Sequence, residues 1–177
     1  MTYKLTILLG VIGAMSFTQM MAGCSFDPLT GYDELTLEQR SYDGDALRID
    51  GYYVSPYTAS SGTLYDTYFF YRTGVIRYVG TFEQSESLSH NDFLDGTVRH
   101  QWGVFQVDGD EIAFERWYPP SGTYTEAFIR SGRIIDDTTF VITKLRRSDG
   151  GEEQTVDETY HFRPFAPKPD STSSFLQ

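Results

Sequence analysis

From Leu47 to Arg163 the chain repeats one texture, and that texture narrows the possible folds more than any other feature. Runs rich in β-branched and aromatic residues are cut at short intervals by Gly, Pro and Asp. The runs are Leu47–Val54, Thr63–Arg72, Val75–Phe82, Val98–Val107, Glu111–Tyr118, Tyr124–Ile135, Thr139–Arg147 and Thr155–Arg163. Such residues suit a pleated, half-buried surface, so each run is read as a strand. The breaks carry turn chemistry: Thr73-Gly74, Asp108-Gly109-Asp110, Pro119-Pro120-Ser121-Gly122, Asp136-Asp137 and Asp149-Gly150-Gly151. No long stretch spaces its apolar residues with a helical period. Residues 83–97, Ser-rich and acidic with Phe93 and Leu94, are read as a long loop or a helical turn.

Polarity alternates within the runs, as in antiparallel strands with one face buried. Val156, Tyr160 and Phe162 share one parity, with Asp157, Thr159, His161 and Arg163 on the other. Ile112 and Phe114 oppose Glu111 and Glu115. Phe140 and Ile142 share a parity, but Val141 and Leu145 lie opposite, as in a wall with a cover outside or a ligand inside. About eight strands joined by short turns predict an all-β, up-and-down antiparallel meander. Closing it into a barrel removes the exposed edges, and a two-sheet β-sandwich is the alternative.

The N-terminus has a different character. Lys4 precedes the apolar stretch Leu5 to Phe17, which is short and Gly-interrupted, as in an export signal rather than a membrane span. Met21-Ala22-Gly23-Cys24 follows. This motif resembles the lipobox of bacterial lipoproteins: an apolar residue, two small residues that enter the signal peptidase cleft, then the Cys that takes diacylglycerol. The resemblance implies a signal peptide over 1–23, with Met21, Ala22 and Gly23 as the peptidase recognition residues and Cys24 as the lipid attachment site. It also accounts for a single Cys in an exported chain. Several acyl chains on one residue anchor stably where one is marginal. Ser25 is not acidic, which favours the outer membrane of a bacterial envelope over inner-membrane retention.

Residues 24–46 are expected to be a lipidated Cys followed by an acidic tether. Asp27, Asp33, Glu34, Glu38, Asp43 and Asp45 face one base, Arg40. Leu35, Leu37 and Tyr42 are candidates for a short packed turn. Residues 47–163 form the β domain, and 164–177 are Pro- and Ser-rich and expected to be extended and flexible.

Leu47-Arg48-Ile49-Asp50-Gly51-Tyr52-Tyr53 resembles the opening strand of lipocalin-like domains, which often carry Gly-x-Trp or Gly-x-Tyr there. The strand–turn–strand segment Gly103 to Ile112 and the runs Ser131–Ile134 and Thr139–Ile142 continue the likeness, which spans residues 47–163. Position 53 is Tyr rather than Trp, and no disulfide is available. The resemblance implies an eight-stranded barrel with a cavity for a small apolar ligand.

Chemistry is sparse. One Cys excludes an intramolecular disulfide, a zinc finger and an iron–sulfur cluster. Gly-x-Ser-x-Gly, Gly-Lys-Ser/Thr and Gly-x-Gly-x-x-Gly are absent. His90, His100 and His161 have no metal-ligand spacing, and the Asp pairs beside Gly read as turn formers rather than calcium loops. No catalytic residue, metal or cofactor is expected, so the chain is read as a non-enzyme. The net charge of −11, with no basic block, argues against nucleic acid. Arg far outnumbers Lys and sits mostly on the strands, which fits cross-strand ion pairs or a pocket for an acidic ligand.

The residues that offer a ligand site are Trp102, Arg116, Tyr118, Tyr68, Phe70 and Tyr78. Arg116 beside aromatics at a strand end combines a fork of donors with stacking faces, which suits a carboxylate or a sugar. Trp102, Tyr68, Phe70 and Tyr78 form either a cavity wall or a packed core. The expected function is thus a lipid-anchored envelope lipoprotein whose barrel binds a small apolar or amphipathic ligand. A protein-interaction scaffold in an envelope assembly is the alternative, and an envelope hydrolase a third.

Overall fold

A computed structural model describes residues 31–60, 62–81, 98–120, 122 and 124–176. Residues 1–23, read above as a signal peptide with Met21, Ala22 and Gly23 at its end, lie outside the described residues, as do Cys24 and the whole 83–97 segment with His90.

The strands are β1 (Gly31–Tyr32), β2 (Gly51–Ala59), β3 (Gly62–Phe70), β4 (Val75–Thr81), β5 (Trp102–Asp108), β6 (Glu111–Trp117), β7 (Tyr124–Thr125), β8 (Ala127–Asp136), β9 (Thr139–Arg147) and β10 (Gln154–Pro164), with a 3-10 turn at Arg99–Gln101 before β5. Eight of them close a barrel in the order β10-β2-β3-β4-β5-β6-β8-β9. Every pairing around it is antiparallel, and each strand neighbours the next barrel strand in the chain, with β10 sealing onto β2 through Phe162 opposite Tyr53. This is the predicted meander, and closure sets aside the two-sheet sandwich.

Alternation decides what fills it. Tyr53, Tyr68, Phe70, Phe105, Phe114, Phe140 and Tyr160 point inward and are buried together with Ile76, Ile112 and Ile142. Most of their rings meet edge-on or tilted, as between Phe70 and Phe105 at 5.0 Å or Tyr68 and Phe114 at 5.0 Å, which suits their quadrupoles, while Phe140 stacks on Tyr160. The barrel centre is therefore packed with rings rather than hollow. Within the strands Gly51, Gly103 and Gly132 give the wall its tightness, since a Cβ at Gly103 would stand 2.0 Å from the Glu115 carbonyl oxygen.

The opposite parity makes a second apolar surface on the outside of β2 to β6. Tyr52, Val54, Phe69, Tyr71, Val75, Val79, Trp102 and Trp117 form it, and the chain's own flanks cover it. Here the structure differs from the expected tether. Glu34, Glu38, Asp43 and Asp45 face water and the candidates Leu35, Leu37 and Tyr42 pack, half-buried or buried, but Asp33 is buried with them rather than solvated. The physical reason is hydrogen bonding that a charge count does not register. Glu115, fully buried on the outer face of β6, accepts from the Thr36 N–H (2.9 and 2.8 Å), the Leu37 N–H (2.6 Å) and the Thr36 hydroxyl (3.2 Å). Asp33 accepts from the Ala127 N–H and the Tyr124 hydroxyl. The strap then descends the wall, and Tyr42 closes the lower end of the barrel, its hydroxyl accepting from the Leu47 N–H (2.7 Å).

The tail also differs from a free extension. Phe165 packs on Tyr52 and Phe69, and Lys168 Nζ donates to the Ile49 and Phe70 carbonyls beneath the barrel. Phe175 and Leu176 reach the outer apolar cluster, where Arg99 lies over both Trp117 and Phe175. β9 carries Phe140 and Ile142 inside and half-buried Val141 outside, and a register shift opposite Ser131 and Gly132 returns Leu145 to the inner face, paired with Arg130.

Candidate functional site: the polar mouth of the barrel

The upper end is reached by the ends of β2, β4, β6 and β9 and the starts of β3, β8 and β10. Inward positions there change from aromatic to charged: Asp66 on β3, Arg116 on β6, Arg130 on β8 and Glu158 on β10. Ions cannot be sealed into an apolar interior without partners, so the packed core stops and a cleft of ≈ 540 Å³ opens to solvent. Ser55, Tyr57, Tyr78, Tyr118, Pro119 and Tyr160 complete its lining.

Arg116 forms the floor. Its guanidinium lies 3.9 Å from the Tyr78 ring centroid and 3.8 Å from that of Tyr118, so it is held between two aromatic faces. Nε donates to the Tyr68 hydroxyl (2.9 Å), and Nη1 donates to the Trp117 (2.9 Å) and His100 (3.2 Å) carbonyls. This depends on the planar donor fork, which Lys cannot reproduce. Burial, with the nearby Arg116 charge second, holds the His100 imidazole below its ordinary pKa.

Arg130 stands across the cleft with its side chain only 8% exposed. Nε donates to Glu158 Oε2 at 2.9 Å, and the Tyr160 hydroxyl donates to the same oxygen at 3.1 Å. Asp66 accepts from the Tyr78 hydroxyl at 3.1 Å. Burial pushes the Asp66 carboxyl up, against the pull of Arg130 and then Arg116. Two buried polar atoms of the lining have no hydrogen-bond partner among the described residues: Arg130 Nη1 and the Tyr118 hydroxyl. Buried polar groups are nearly always paired, so each stands as an offered contact.

The structure brings together Arg116, Tyr118, Tyr78 and Tyr68 from the six candidate ligand residues. Phe70 lies deeper, within the packed core. Trp102 is on the outer wall, under Arg77 and among the residues covered by the flanks, because its parity is opposite to that of Phe105. Sequence reasoning missed Arg130, Asp66, Glu158 and Tyr57. Asp66 shares a face with Tyr68 two residues on, a signal present in the alternation. Glu158 likewise shares a face with Tyr160 two residues on, and it reaches the mouth because β10 closes onto β2.

Ion pairs between segments form on the surface and at the mouth, Arg133 with Asp110, Lys144 with Glu153, Arg147 with Glu126 and Arg130 with Glu158, whereas Arg48–Asp50 and Arg147–Asp149 are local pairs two residues apart. The turn acids act as read, Asp136 accepting from the Thr138 N–H at 2.9 Å. Comparison with family models, with curated proteins and with solved structures finds no match to this chain.

Proposed function

We propose that the chain is a lipid-anchored lipoprotein of a bacterial envelope, held by Cys24, whose lipocalin-like barrel binds a small amphipathic ligand at its mouth. What carries the binding reading is the pair of unsatisfied polar atoms, Arg130 Nη1 and Tyr118 Oη, in the lining of an aromatic cleft. Ligand oxygens admitted beside them would satisfy them, while Tyr57, Tyr78 and Pro119 cover an apolar body. The aromatic packing of the barrel centre supports a ligand held at the rim rather than one swallowed whole. No step of chemistry is assigned, and the protein acts by holding its ligand.

Native mass spectrometry of the full chain purified from envelopes tests this. The expected spectrum contains an adduct beyond the acyl groups, lost in the double variant Arg130→Met, Tyr118→Phe. A spectrum of the acylated protein alone from envelopes, or an adduct that survives the double variant, would refute the cleft as the binding site. Cys24→Ala is expected to abolish incorporation of a palmitate analogue, and unchanged labelling would remove the anchor.

A further inference from the structure

The strap has a direction. Gly31 and Tyr32 pair with Tyr124 and Thr125, which lie in the connection between β6 and β8, at the same end as the cleft. Asp33 is fixed there too: its carbonyl accepts from the Trp117 Nε1–H (2.7 Å), and its own N–H donates to the Thr125 carbonyl (2.9 Å). Only residues 25–30 separate Cys24 from Gly31. That is seven Cα steps, at most about 25 Å of fully extended chain. A nine-residue strand such as β2 rises about 20–25 Å along a barrel tilted by about 40°. The lower end can therefore be held at the lipid only by wrapping the whole reach along the wall.

The exposed large side chains are distributed accordingly. Tyr32 (47% exposed), Tyr57 (41%) and Tyr124 (42%) stand at the mouth end, whereas Ile135 (63%) is at the opposite end. Tyr is a residue of the membrane–water interface, with an apolar ring and a wet hydroxyl. The Asp108, Asp110, Asp136 and Asp137 turns lie at the opposite end, where carboxylates face water. The mouth end has its own acids, Asp149, Glu152 and Glu153 on the β9–β10 turn, which disfavour anionic lipid.

We infer, resting on lipidation of Cys24, that the mouth end of the barrel faces the bilayer, with the Tyr32–Tyr57–Tyr124 rim seated on zwitterionic lipid. The cleft then opens onto the lipid surface, and the amphipathic ligand reaches it from the membrane rather than from solution. Orientation is built into the fold, because the strap is bonded to the wall before it meets the anchor.

The test uses full-chain acylated protein in phosphatidylcholine vesicles containing lipids with nitroxide head groups. A thiol-reactive fluorophore is placed at Tyr57→Cys, at Tyr124→Cys on the other side of the rim, or at Ile135→Cys, the acylated Cys24 thioether being unreactive. The expected quenching is severalfold stronger at both rim positions than at position 135. Equal quenching at the two ends, or stronger quenching at 135, overturns the orientation while leaving the anchor intact. Intact mass before labelling separates the two readings, because a chain without the diacylglycerol increment overturns the anchor and the orientation with it.

Discussion

Glu115 is the residue on which the strap, and hence the inferred orientation of the barrel, depends most directly. It is fully buried on the outer face of β6 and receives three donors, the Thr36 and Leu37 N–H groups and the Thr36 hydroxyl. Hydrogen bonds to a charged group contribute about 1.5–3 kcal/mol each. Glu115→Ala removes both backbone contacts, a nominal cost of about 3–6 kcal/mol, but the strap can lift and rehydrate its N–H groups. That relaxation limits the local penalty to about 2–4 kcal/mol. Native-state hydrogen exchange by NMR reads it at the two amides concerned. Since 1.4 kcal/mol is tenfold, Thr36 and Leu37 should exchange about 30- to 1,000-fold faster in the variant. Barrel amides such as those of Phe105 and Phe114 should retain their protection. Glu115→Gln keeps one acceptor oxygen and should fall between the two. In the fluorophore experiment Glu115→Ala should also narrow the difference between positions 57 and 135, because a lifted strap adds reach. Wild-type exchange at Thr36 and Leu37 in Glu115→Ala would refute the claim that this carboxylate holds the strap.

Other expectations concern the mouth, the tail and the wall. Arg130→Met leaves Glu158 without its partner at a mostly buried site, so a loss of about 3–5 kcal/mol is expected in urea unfolding, and Arg130→Met with Glu158→Gln should recover much of it; an unrecovered double variant would contradict the pairing. Lys168 is pushed down to about 8 by burial, against an ordinary value of 10.5, so between those values the folded chain holds fewer protons than the unfolded one and stability rises with pH. The melting temperature should therefore climb between pH 8 and about 9.5 and lose that slope in Lys168→Met. Above pH 10 the sign reverses, because burial raises the phenols of Tyr53, Tyr71 and Tyr78 and the unfolded chain loses its protons first. Gly103→Ala would drive a Cβ into the Glu115 carbonyl oxygen, so its urea midpoint should drop by about 1 M or more, equivalent to about 2 kcal/mol at a typical slope.

How far the sequence shows this molecule depends on the range of the interactions concerned. The eight strands, their turns and the meander order are local consequences of alternation and turn chemistry, and they are legible from Leu47 to Arg163. The strap was not, because its acids read alike along the chain while their environments differ: Glu38 is solvated and paired with Arg40, whereas Asp33 serves two donors of the β6–β8 connection and is buried. The tail misled in the same way. Pro and Ser disfavour regular structure, but they do not prevent Phe165 and Lys168 from docking on a wall that strand parity had already made apolar. Trp102 shows the limit within a strand. Its run is apolar on both parities, so only the pairing of Gly103 with Arg116 decides that the Trp faces outward and Phe105 inward.

Closure generates what no single strand contains. Asp66, Arg116, Arg130 and Glu158 are scattered over β3, β6, β8 and β10, and each alone would be a surface ion. Bringing β10 back to β2 turns four strand ends into one ring. The centre of that ring is already filled by Phe70, Phe114 and Tyr160, so the charges sit above packed rings at the edge of the cleft. The cleft proposed as a binding site follows from packing the core to the point where it leaves only the mouth. The covering of the outer wall by the strap has the same origin, since the parity that sends Phe114 and Arg116 inward sends Glu115 outward to hold the chain segment leading to Cys24. Substituting Glu115 tests the outward half of that alternation and Arg130 the inward half of its neighbour. The two effects should be additive within about 0.5 kcal/mol, since they lie on opposite faces of the wall and share no partner. Strong coupling between them would mean that strap and cleft form one cooperative unit rather than two.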